Sequence, residues 1–534
     1  MSWDAVVVGA GPNGLVAANL LTDAGWSVLL LEAQPEVGGA VRSDRELHPD
    51  YVHDTFSAFY PLAAVSPTIA SFGLDEHGLV WRHAPSVLGH PMPDGNWAVL
   101  HRDRADTAAG LDALHDGDGD AWLGLCADWD RVGPHVIGAL LSPFPPVRHG
   151  LGALAALRKV GGLDYVKTLL TPVTDLGRQR FGGAAPRLLL AGNAAHADIP
   201  LDAPGSGLMG MLLCMMGQTV GFPVPEGGAG ELTQALARRL RAKGGEIRTG
   251  AEVTRIEVDG GRAVAVRTAD GERHAVRRAV VADVLAPTLY TRLLDQSDVP
   301  PRVTSALRSF DLDPGTVKVD WALDGSVPWT GAPERAAGTV HVADSVGDLT
   351  IAMSQVQAGH VPAAPFLLTG QMTTSDPTRS PAGTESFWAY THVPQVVATD
   401  AGDGSVRGTW DRDDCERFAD RMQARLERLA PGFGSKVVAR RVLGPRELEA
   451  RNANLVGGAI NGGTAQLHQQ LVFRPVPGLG RAETPIHGLY LGSASAHPGG
   501  GVHGACGSNA ARAALFHARV GRLVPGPVRR ALGR

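Results

Sequence analysis

The stretch DAVVVGAGPNGLVAANLLTDAGWSVLLLEA, residues 4–33, decides the fold. A β-branched run ends in a G-x-G-x-x-G pattern. Small and apolar residues at helical spacing follow, and a second apolar run ends at Glu32. This order predicts a buried strand, a tight turn, a helix and a second parallel strand. It is typical of a Rossmann-type unit, in which a dinucleotide pyrophosphate lies at the N-terminus of the helix.

The three glycines of this pattern have separate mechanical roles. Gly9 allows the tight turn, Gly11 lets the backbone approach the pyrophosphate, and Gly14 lets the helix pack closely on the strand. Glu32 stands where an acid accepts hydrogen bonds from a ribose, and an acid at this place disfavours a 2′-phosphate. We therefore predict that the turn, Glu32 and their neighbours bind a dinucleotide, the neighbours being Pro12, Asn13 and Ala33. The pattern alone leaves NAD and FAD open.

A second glycine pair, Gly38-Gly39, follows the acid in AQPEVGGAVRS, residues 33–43. NAD binding does not need this pair. It resembles the second glycine pair of the FAD-binding glutathione-reductase-like superfamily, whose loop runs over the pyrophosphate towards the flavin. The arginine that usually follows the pair is Ala40 here. Arg42 is the nearest cation and is our candidate for the same contact.

A segment near the other end of the chain has the same order of strand, glycines and helix. In TPIHGLYLGSASAHPGGGVHGACGSNAARAAL, residues 484–515, a short strand leads into glycines, and small residues then begin a helix. Glycines at a helix N-terminus can direct backbone N–H groups at an anion or an electron-rich ring edge. The candidate cofactor residues of this segment are Gly492, Gly500, Gly501 and Val502.

Together these segments resemble the phytoene-desaturase-like branch of FAD-dependent oxidoreductases, which includes bacterial carotenoid ketolases. Nearly the whole chain takes part, including the stretches GFPVPEGGAGELTQALARRLRAKGGEIRTGAEVTRIEV and VGGAINGGTAQLHQQLVFRPVPG. The resemblance implies bound FAD, with the C-terminal glycine segment against the flavin ring and the Val253 backbone at the adenine. It also implies redox chemistry on a lipophilic organic substrate.

The resemblance and the local patterns together predict an α/β fold with two interleaved parts. A Rossmann-type FAD-binding domain takes residues 1–101, 222–300 and 440–534. An α+β substrate-binding domain takes residues 102–221 and 301–439 and carries a helical insertion. Within the insertion, the Met-rich stretch at 207–224 fits a greasy substrate tunnel and ordinary core equally well.

Lys318 interrupts the alternating pattern of GTVKVDWALDGSVPW, residues 315–329. In flavin amine oxidases a similar strand carries a lysine that holds a water beside flavin N5, and the spacing to Trp329 resembles that pattern. A lysine on an exposed strand surface is the alternative. A lysine at the flavin would be desolvated and would have a lowered pKa.

Three histidines are weaker catalytic candidates. His53 lies in YVHDTFSAFYP, residues 51–61, where the superfamily chain returns to the flavin. His503 and His497 flank the C-terminal glycines. Histidines satisfied by loop contacts are the alternative for each. The sequence has no metal-ligand spacing and no Ser-His-Asp order, and hydride transfer to a flavin needs neither.

Composition restricts the partners and the compartment. A net charge of -5 on 534 residues argues against nucleic-acid binding. The four cysteines form no C-x-x-C pair, and no secretory pattern precedes the first strand, so we expect a cytoplasmic protein. We expect the basic end PGPVRRALGR, residues 525–534, to be a solvated tail. Peripheral membrane contact and homo-oligomerisation stay open.

The sequence thus predicts an FAD-dependent oxidoreductase that desaturates or oxidises a lipophilic substrate by hydride transfer to flavin N5. Three alternatives stay open. Lys318 favours a flavin amine oxidase, the resemblance includes carotenoid ketolases, and a protein could hold FAD without turning over a substrate.

Overall fold

The computed structural model describes residues 2–523, so the basic end at 525–534 lies outside the described residues. In chain order the strands are β1 (Ser2–Val8), β2 (Val28–Leu31), β3 (Ser43–Asp44), β4 (His53–Asp54), β5 (Trp81–Arg82), β6 (Ser86–Pro91), β7 (Trp97–Leu100), β8 (Val224–Pro225), β9 (Glu246–Arg248), β10 (Val253–Asp259), β11 (Arg262–Thr268), β12 (Arg273–Ala282), β13 (Gly315–Leu323), β14 (Ala337–Val342), β15 (His360–Val361), β16 (Leu367–Gln371), β17 (Glu385–Val393), β18 (Thr399–Asp400), β19 (Val437–Leu443) and β20 (Leu489–Leu491).

The helices are distributed along the whole chain, and seven of them, α4 to α10, form the insertion. They are α1 (Pro12–Asp23), α2 (Pro61–Val65), α3 (Pro67–Ala70), α4 (Arg104–Leu114), α5 (Asp118–Leu140), α6 (Val147–Leu157), α7 (Leu163–Leu170), α8 (Val173–Arg180), α9 (Ala184–Ala194), α10 (Ser206–Thr219), α11 (Gly230–Ala242), α12 (Ala286–Thr288), α13 (Pro301–Leu307), α14 (Val346–Gln357), α15 (Met372–Ser375), α16 (Arg412–Leu429), α17 (Pro445–Arg451) and α18 (Ala505–Leu523).

The first sheet is the predicted Rossmann-type unit. Its strands run in the order β10-β11-β12-β1-β2-β9, and β20 also pairs with β12. The pairs that join β20, β12, β1, β2 and β9 are parallel. Helices α1, α11 and α18 cover one face through a core of small and aliphatic side chains. This face can be packed so closely because alanine and glycine dominate the helix surfaces that meet it.

The second sheet has the order β19-β13-β17-β16-β14-β6-β7 and is antiparallel except for the pair β14 and β6. One of its faces packs on α16. Towards β6 and β7 the sheet packs on the insertion helices α5, α8, α9 and α10. Met211, Met215 and Met216 of α10 are buried in that packing, so the Met-rich stretch contributes ordinary core.

Strands β6 and β7 belong to the second sheet, although both precede the domain boundary that the sequence predicts at residue 101. The prediction placed residues 86–100 in the FAD-binding part, whereas these strands are hydrogen-bonded into the second sheet. The boundary at 440 likewise falls inside β19, which pairs with β13. A short apolar strand is compatible with either sheet, and only its distant partner decides.

A buried ion triad joins the two halves. Arg379 donates from Nη1 to Asp54 and from Nε to Asp376, both at 2.9 Å, and all three side chains are inaccessible to solvent. Asp54 also accepts the Ala229 N–H at 2.8 Å, and Asp376 accepts the Gly227 N–H at 2.8 Å. The triad therefore ties the start of α11 to the loop before β17.

Helix α18 lies against the first turn of α1, and Gly507 makes that approach possible. A Cβ atom at Gly507 would lie 1.9 Å from the Asn13 carbonyl oxygen. We predict that Gly507→Ala lowers the free energy of unfolding by roughly 1–3 kcal/mol, because the backbones must separate. The matched control is Gly124→Ala on α5, where a Cβ atom meets nothing within 4 Å. It should raise stability slightly in thermal unfolding. Equal midpoints for the two variants would contradict the prediction.

Candidate functional site

The two predicted glycine loops touch each other. The Gly38 N–H donates to the Ala10 carbonyl at 2.9 Å. A Cβ atom at Gly39 would lie 2.9 Å from the Gly11 Cα atom, and Gly9, Gly38 and Gly39 all have positive φ. The loops are thus in contact through backbone that only glycine allows. They form one wall of the candidate site.

Glu32 is buried at the end of β2, and its contact with a ribose remains a prediction. Its carboxylate accepts the Ala10 N–H at 2.7 Å and the Gln34 N–H at 2.9 Å. Its own carbonyl accepts the Ala251 N–H at 2.8 Å, which places the start of β10 and Val253 alongside it. Ala33, the next residue along the chain, is exposed. The predicted adenosine side of the site is therefore continuous.

The N-cap residue of α1 is Gly11, which has no side chain to cap the helix. The Asp283 carboxylate, at the end of β12, lies beside this helix N-terminus and accepts the Gly14 N–H at 2.9 Å. Burial raises the pKa of Asp283 to about 7, and the nearby Glu32 adds to the effect although the Gly14 bond opposes it. No local pattern in the sequence points to Asp283, because sheet pairing brings this residue to the turn.

The C-terminal glycine segment joins the same site from the other end of the chain. The Gly492 N–H donates to the Ala282 carbonyl at 2.8 Å, next to Asp283. A Cβ atom at Gly500 would lie 2.5 Å from Asn461, and one at Gly501 would lie 2.7 Å from Leu62. Val502 packs at the edge of the α1 and α18 core. Both ends of the chain therefore build one region.

His503 holds this segment in place. Its Nδ1 accepts the Ala505 N–H at 3.0 Å, and its carbonyl accepts the Ser66 hydroxyl at 2.7 Å. Burial lowers the pKa of His503 to about 4, so the ring is neutral at pH 7. These contacts make it a positioning residue for the start of α18. A catalytic role for His503 remains a prediction.

Arg42 is folded back onto its own loop. Its guanidinium donates to the Gly39 carbonyl at 3.1 Å and to the Arg451 carbonyl at 2.9 Å, and it lies over the Phe56 ring. It thus clamps the second glycine loop to the end of α17. Its contact with the cofactor remains a prediction.

This arrangement fits FAD. A helix N-terminus that begins at a glycine suits a pyrophosphate, the Glu32 carboxylate suits a ribose, and the second glycine loop gives the backbone access that a longer cofactor needs. The residues that would hold the cofactor are those of the two glycine loops, Glu32, the start of β10 and the C-terminal glycine segment. Bound there, FAD supplies a two-electron acceptor that side chains cannot provide.

Lys318 lies on the polar face of the second sheet. Register places Thr316, Lys318 and Asp320 of β13 opposite His392, Tyr390 and Trp388 of β17. The alternate residues of both strands pack on α16, so this polar face is turned away from that core. The sequence alternative of an exposed lysine is wrong, because Lys318 is buried.

The Lys318 ammonium pairs with Asp320 and lies 5.7 Å from the centre of the Trp388 ring. Arg441 donates to the other oxygen of Asp320 at 2.8 Å and to Asp44 at 2.7 Å. Burial lowers the pKa of Lys318, as expected of a desolvated lysine, although Asp320 opposes the shift. The network reaches β3, which directly follows the second glycine loop. Contact of Lys318 with the flavin remains a prediction.

His53 is close to this network and is fully buried. Its Nδ1 lies 3.2 Å from the Ser386 hydroxyl, and no hydrogen-bond partner reaches its Nε2 among residues 2–523. Burial lowers the pKa of His53 to about 4, and the neighbouring Asp320 and Lys318 exert opposing effects. The structure thus groups His53 with Lys318, while His503 lies in the C-terminal segment.

A carboxylate and an imidazole that sequence reasoning missed lie on the same polar face. His392 Nε2 is 2.7 Å from Asp198 Oδ1, and the Asn461 amide donates to the other Asp198 oxygen. Burial alone would lower the pKa of His392, but the Asp198 charge outweighs it and raises that pKa. Asp198 has a φ of 58°, a conformation that costs energy outside glycine. Asn461 links this pair to Gly500 of the glycine segment.

Further imidazoles extend this group under the insertion. His196 and His341 approach each other at 2.8 Å between their Nε2 atoms, and the His90 ring lies 6.4 Å from that of His341. Burial lowers the pKa of His196 to about 3 and that of His90 to about 4. The five residues come from four separate parts of the chain. Only the motif HAD at 196–198 is local, and it has no distinctive spacing.

Comparison with known proteins identifies the class of fold and cofactor. A family model described as flavin containing amine oxidoreductase matches residues 13–330, more than half of the chain. A second model, FAD dependent oxidoreductase, matches residues 220–462. These matches confirm FAD as the cofactor, and the α/β fold that the sequence predicted is the one observed.

Relatives and solved structures cover nearly the whole chain. Mouse pyridine nucleotide-disulfide oxidoreductase domain-containing protein 2 is 29% identical over 95% of this chain and 92% of its own. Phytoene desaturase (neurosporene-forming) of Rhodobacter capsulatus is 23% identical over 94% of this chain and 92% of its own. The crystal structure of an oxidoreductase from Methanosarcina mazei superposes with a TM-score of 0.62 at 15% identity and covers 96% of this chain and 99% of its own.

We predict that Asp283 makes FAD binding pH-dependent. The pyrophosphate charge would raise its pKa beyond about 7, so above that pH a proton is taken up with the cofactor. The FAD dissociation constant should therefore increase by up to about tenfold per pH unit above 7. Asp283→Asn can still accept the Gly14 N–H and should remove this dependence in fluorescence titrations. The control Asp50→Asn, at an exposed carboxylate, should behave as wild type. An equally steep dependence in Asp283→Asn would refute the assignment.

Proposed function

Because the chain belongs to the family of flavin containing amine oxidoreductases, we propose that this FAD-dependent oxidoreductase desaturates or oxidises a lipophilic substrate. Bound FAD would accept the hydride at N5. Support for the lipophilic class comes from the match to a phytoene desaturase over 94% of the chain. Support from the site comes from aromatic side chains on the polar face of the second sheet, where the Trp388 and Tyr390 rings are stacked 5.9 Å apart.

The protein's own contribution would be orientation and the exclusion of water. The Phe59 ring lies 6.0 Å from that of Trp388, and the Tyr390 ring lies 5.5 Å from that of His392, so an apolar substrate next to this face would contact several rings. The His392–Asp198 pair is the group on this face that can receive a proton, because its imidazole has a neighbouring carboxylate to stabilise the charged form. A proton released with the hydride would then stay inside the site.

The free thiols support a proposal for the compartment. All four cysteines are buried and free: Cys126, Cys214, Cys415 and Cys506. Burial raises the pKa of Cys506 to about 12, and such thiols are protonated and unreactive at pH 7. We place the enzyme in a reducing compartment such as the cytoplasm.

We predict that an isoprenoid polyene, mixed anaerobically with the purified holoenzyme, bleaches the visible absorption of the oxidised flavin. A primary alkyl amine of similar length should bleach the flavin much more slowly, since no described acidic group on the polar face of the second sheet is free to bind an ammonium. Readmission of air, or addition of an artificial acceptor, should restore the colour and exclude damage to the flavin. Faster bleaching by the amine would favour the amine oxidase alternative. Bleaching by neither substrate would refute the proposed function.

The amine oxidase alternative has one specific observation in its favour, the buried Lys318 on the polar face. If this lysine activates oxygen at the flavin, Lys318→Met should slow reoxidation of the reduced flavin by oxygen by about tenfold or more, or at least 1.4 kcal/mol. Arg441 remains to pair with Asp320 in the variant. The control Lys243→Met removes an exposed lysine at the end of α11. Stopped-flow rates that are equal in the two variants would show that Lys318 has no role in the oxygen reaction.

A further inference from the structure

Exposed leucines follow one face of helix α6. Val147, Leu151 and Leu154 are 65%, 64% and 62% exposed, and their spacing of four and three residues places them in one stripe. The opposite side of α6 packs inside the protein, where Ala156 contacts Val132 and Tyr165 in a small core. The stripe is therefore an apolar surface that the insertion does not use for its own packing.

Helix α7 extends this surface. Leu163 is 85% exposed at its start and Leu170 is 49% exposed at its end, two turns apart on the same side of the helix. At the end of α7 the Leu170 carbonyl accepts the Gly205 N–H at 3.1 Å, and a Cβ atom at Gly205 would lie 3.7 Å from Leu467. The end of α7 thus lies next to Gly205, which lies beside a second apolar segment.

This second segment is the pair of short turns at residues 467–473, whose exposed side chains are Leu467, Leu471, Val472 and Phe473. Together with the exposed faces of α6 and α7 it forms what we call the apolar surface. Large exposed side chains also occur on other elements, such as Ile351 of α14 and Val396 after β17, and single exposed apolar side chains are ordinary for a protein surface. A contiguous exposed apolar surface marks an interaction site.

The charges around the apolar surface indicate its partner. Arg158, Lys159 and Lys167 are exposed on α7 and on the turn that joins it to α6, against a single acid there, Asp164. Lysines are depleted in the cores of protein interfaces, whereas a cationic rim beside exposed leucines is typical of helices that lie in the headgroup region of an anionic bilayer. Among the helices between residues 2 and 523, none combines the length and the apolar character needed to cross a membrane.

We propose that the apolar surface docks the protein on an anionic phospholipid bilayer, with the leucines of α6 and α7 at the boundary between headgroups and acyl chains. This inference does not depend on which substrate is oxidised. It has a geometric consequence for the site. The turn before α6 contacts the C-terminal glycine segment, because the Phe144 ring lies 5.8 Å from His497, and His497 Nε2 lies 3.2 Å from the Ser142 carbonyl. Docking would therefore hold the flavin end of the protein close to the lipid.

The test is flotation of the holoenzyme with vesicles of phosphatidylcholine alone and of phosphatidylcholine mixed with phosphatidylglycerol. We expect wild type to float with the mixed vesicles and less with the neutral ones. The triple variant Leu151→Glu, Leu154→Glu, Leu163→Glu should lose at least about tenfold in partitioning. The matched control Ile351→Glu, Val396→Glu places charges at exposed apolar positions on other elements and should float as wild type. Retained flavin absorption shows that each variant is folded.

A second variant tests the role of the exposed cations beside the apolar surface. Lys159→Gln, Lys167→Gln should lower binding to the mixed vesicles and weaken its dependence on added salt, because two of the cations that attract the anionic headgroups are removed. Three results would overturn the proposal: wild type that does not float, a leucine variant that floats like wild type, or a wild-type dimer that the leucine variant converts to a monomer in light scattering. The last result would assign the apolar surface to self-association.

Discussion

The close approach of two backbones, at the first turn of α1 and the start of α18, is the constraint on which the rest of the structure depends. Gly507 allows the contact with the Asn13 carbonyl. Gly14 allows α1 to pack on the strand, because a Cβ atom at Gly14 would lie only 2.0 Å from the Gly9 carbonyl oxygen. No side chain fits at either place. Because segments from both ends of the chain pack together here, the chain between them must leave this region and return to it.

The elements of this region could be predicted from the sequence, because each depends on residues that are close together along the chain. A turn that only glycine can make, an acid at a strand end and a helix of small residues are each visible within a few residues. The unit at residues 4–33, helix α11, the strands up to Ala282 and helix α18 therefore follow from the sequence. Their cofactor contacts remain predictions, since they rest on resemblance to other proteins.

The features that sequence reasoning missed are those that depend on distant pairing. Strand β6 belongs to the second sheet because β14, some 250 residues later, provides its partner. Asp198 and His392 are brought together in the same way, and neither has a neighbour with distinctive spacing. Burial of Lys318 likewise depends on the opposite strand and on Arg441. Contacts of this kind are set by tertiary packing, to which single-residue patterns do not respond.

The buried triad of Arg379, Asp54 and Asp376 has a consequence for how molecules reach the site. Separating a buried pair leaves uncompensated charge at a cost of about 3–5 kcal/mol, so a hinge-like parting of the two halves is rarely populated. Substrate and product would instead pass through a part of the molecule that has fewer packing contacts. The α6–α7 hairpin has a small core of its own and few buried side chains. Movement of molecules into and out of the site would therefore involve lightly packed segments such as this hairpin rather than a hinge between the two halves.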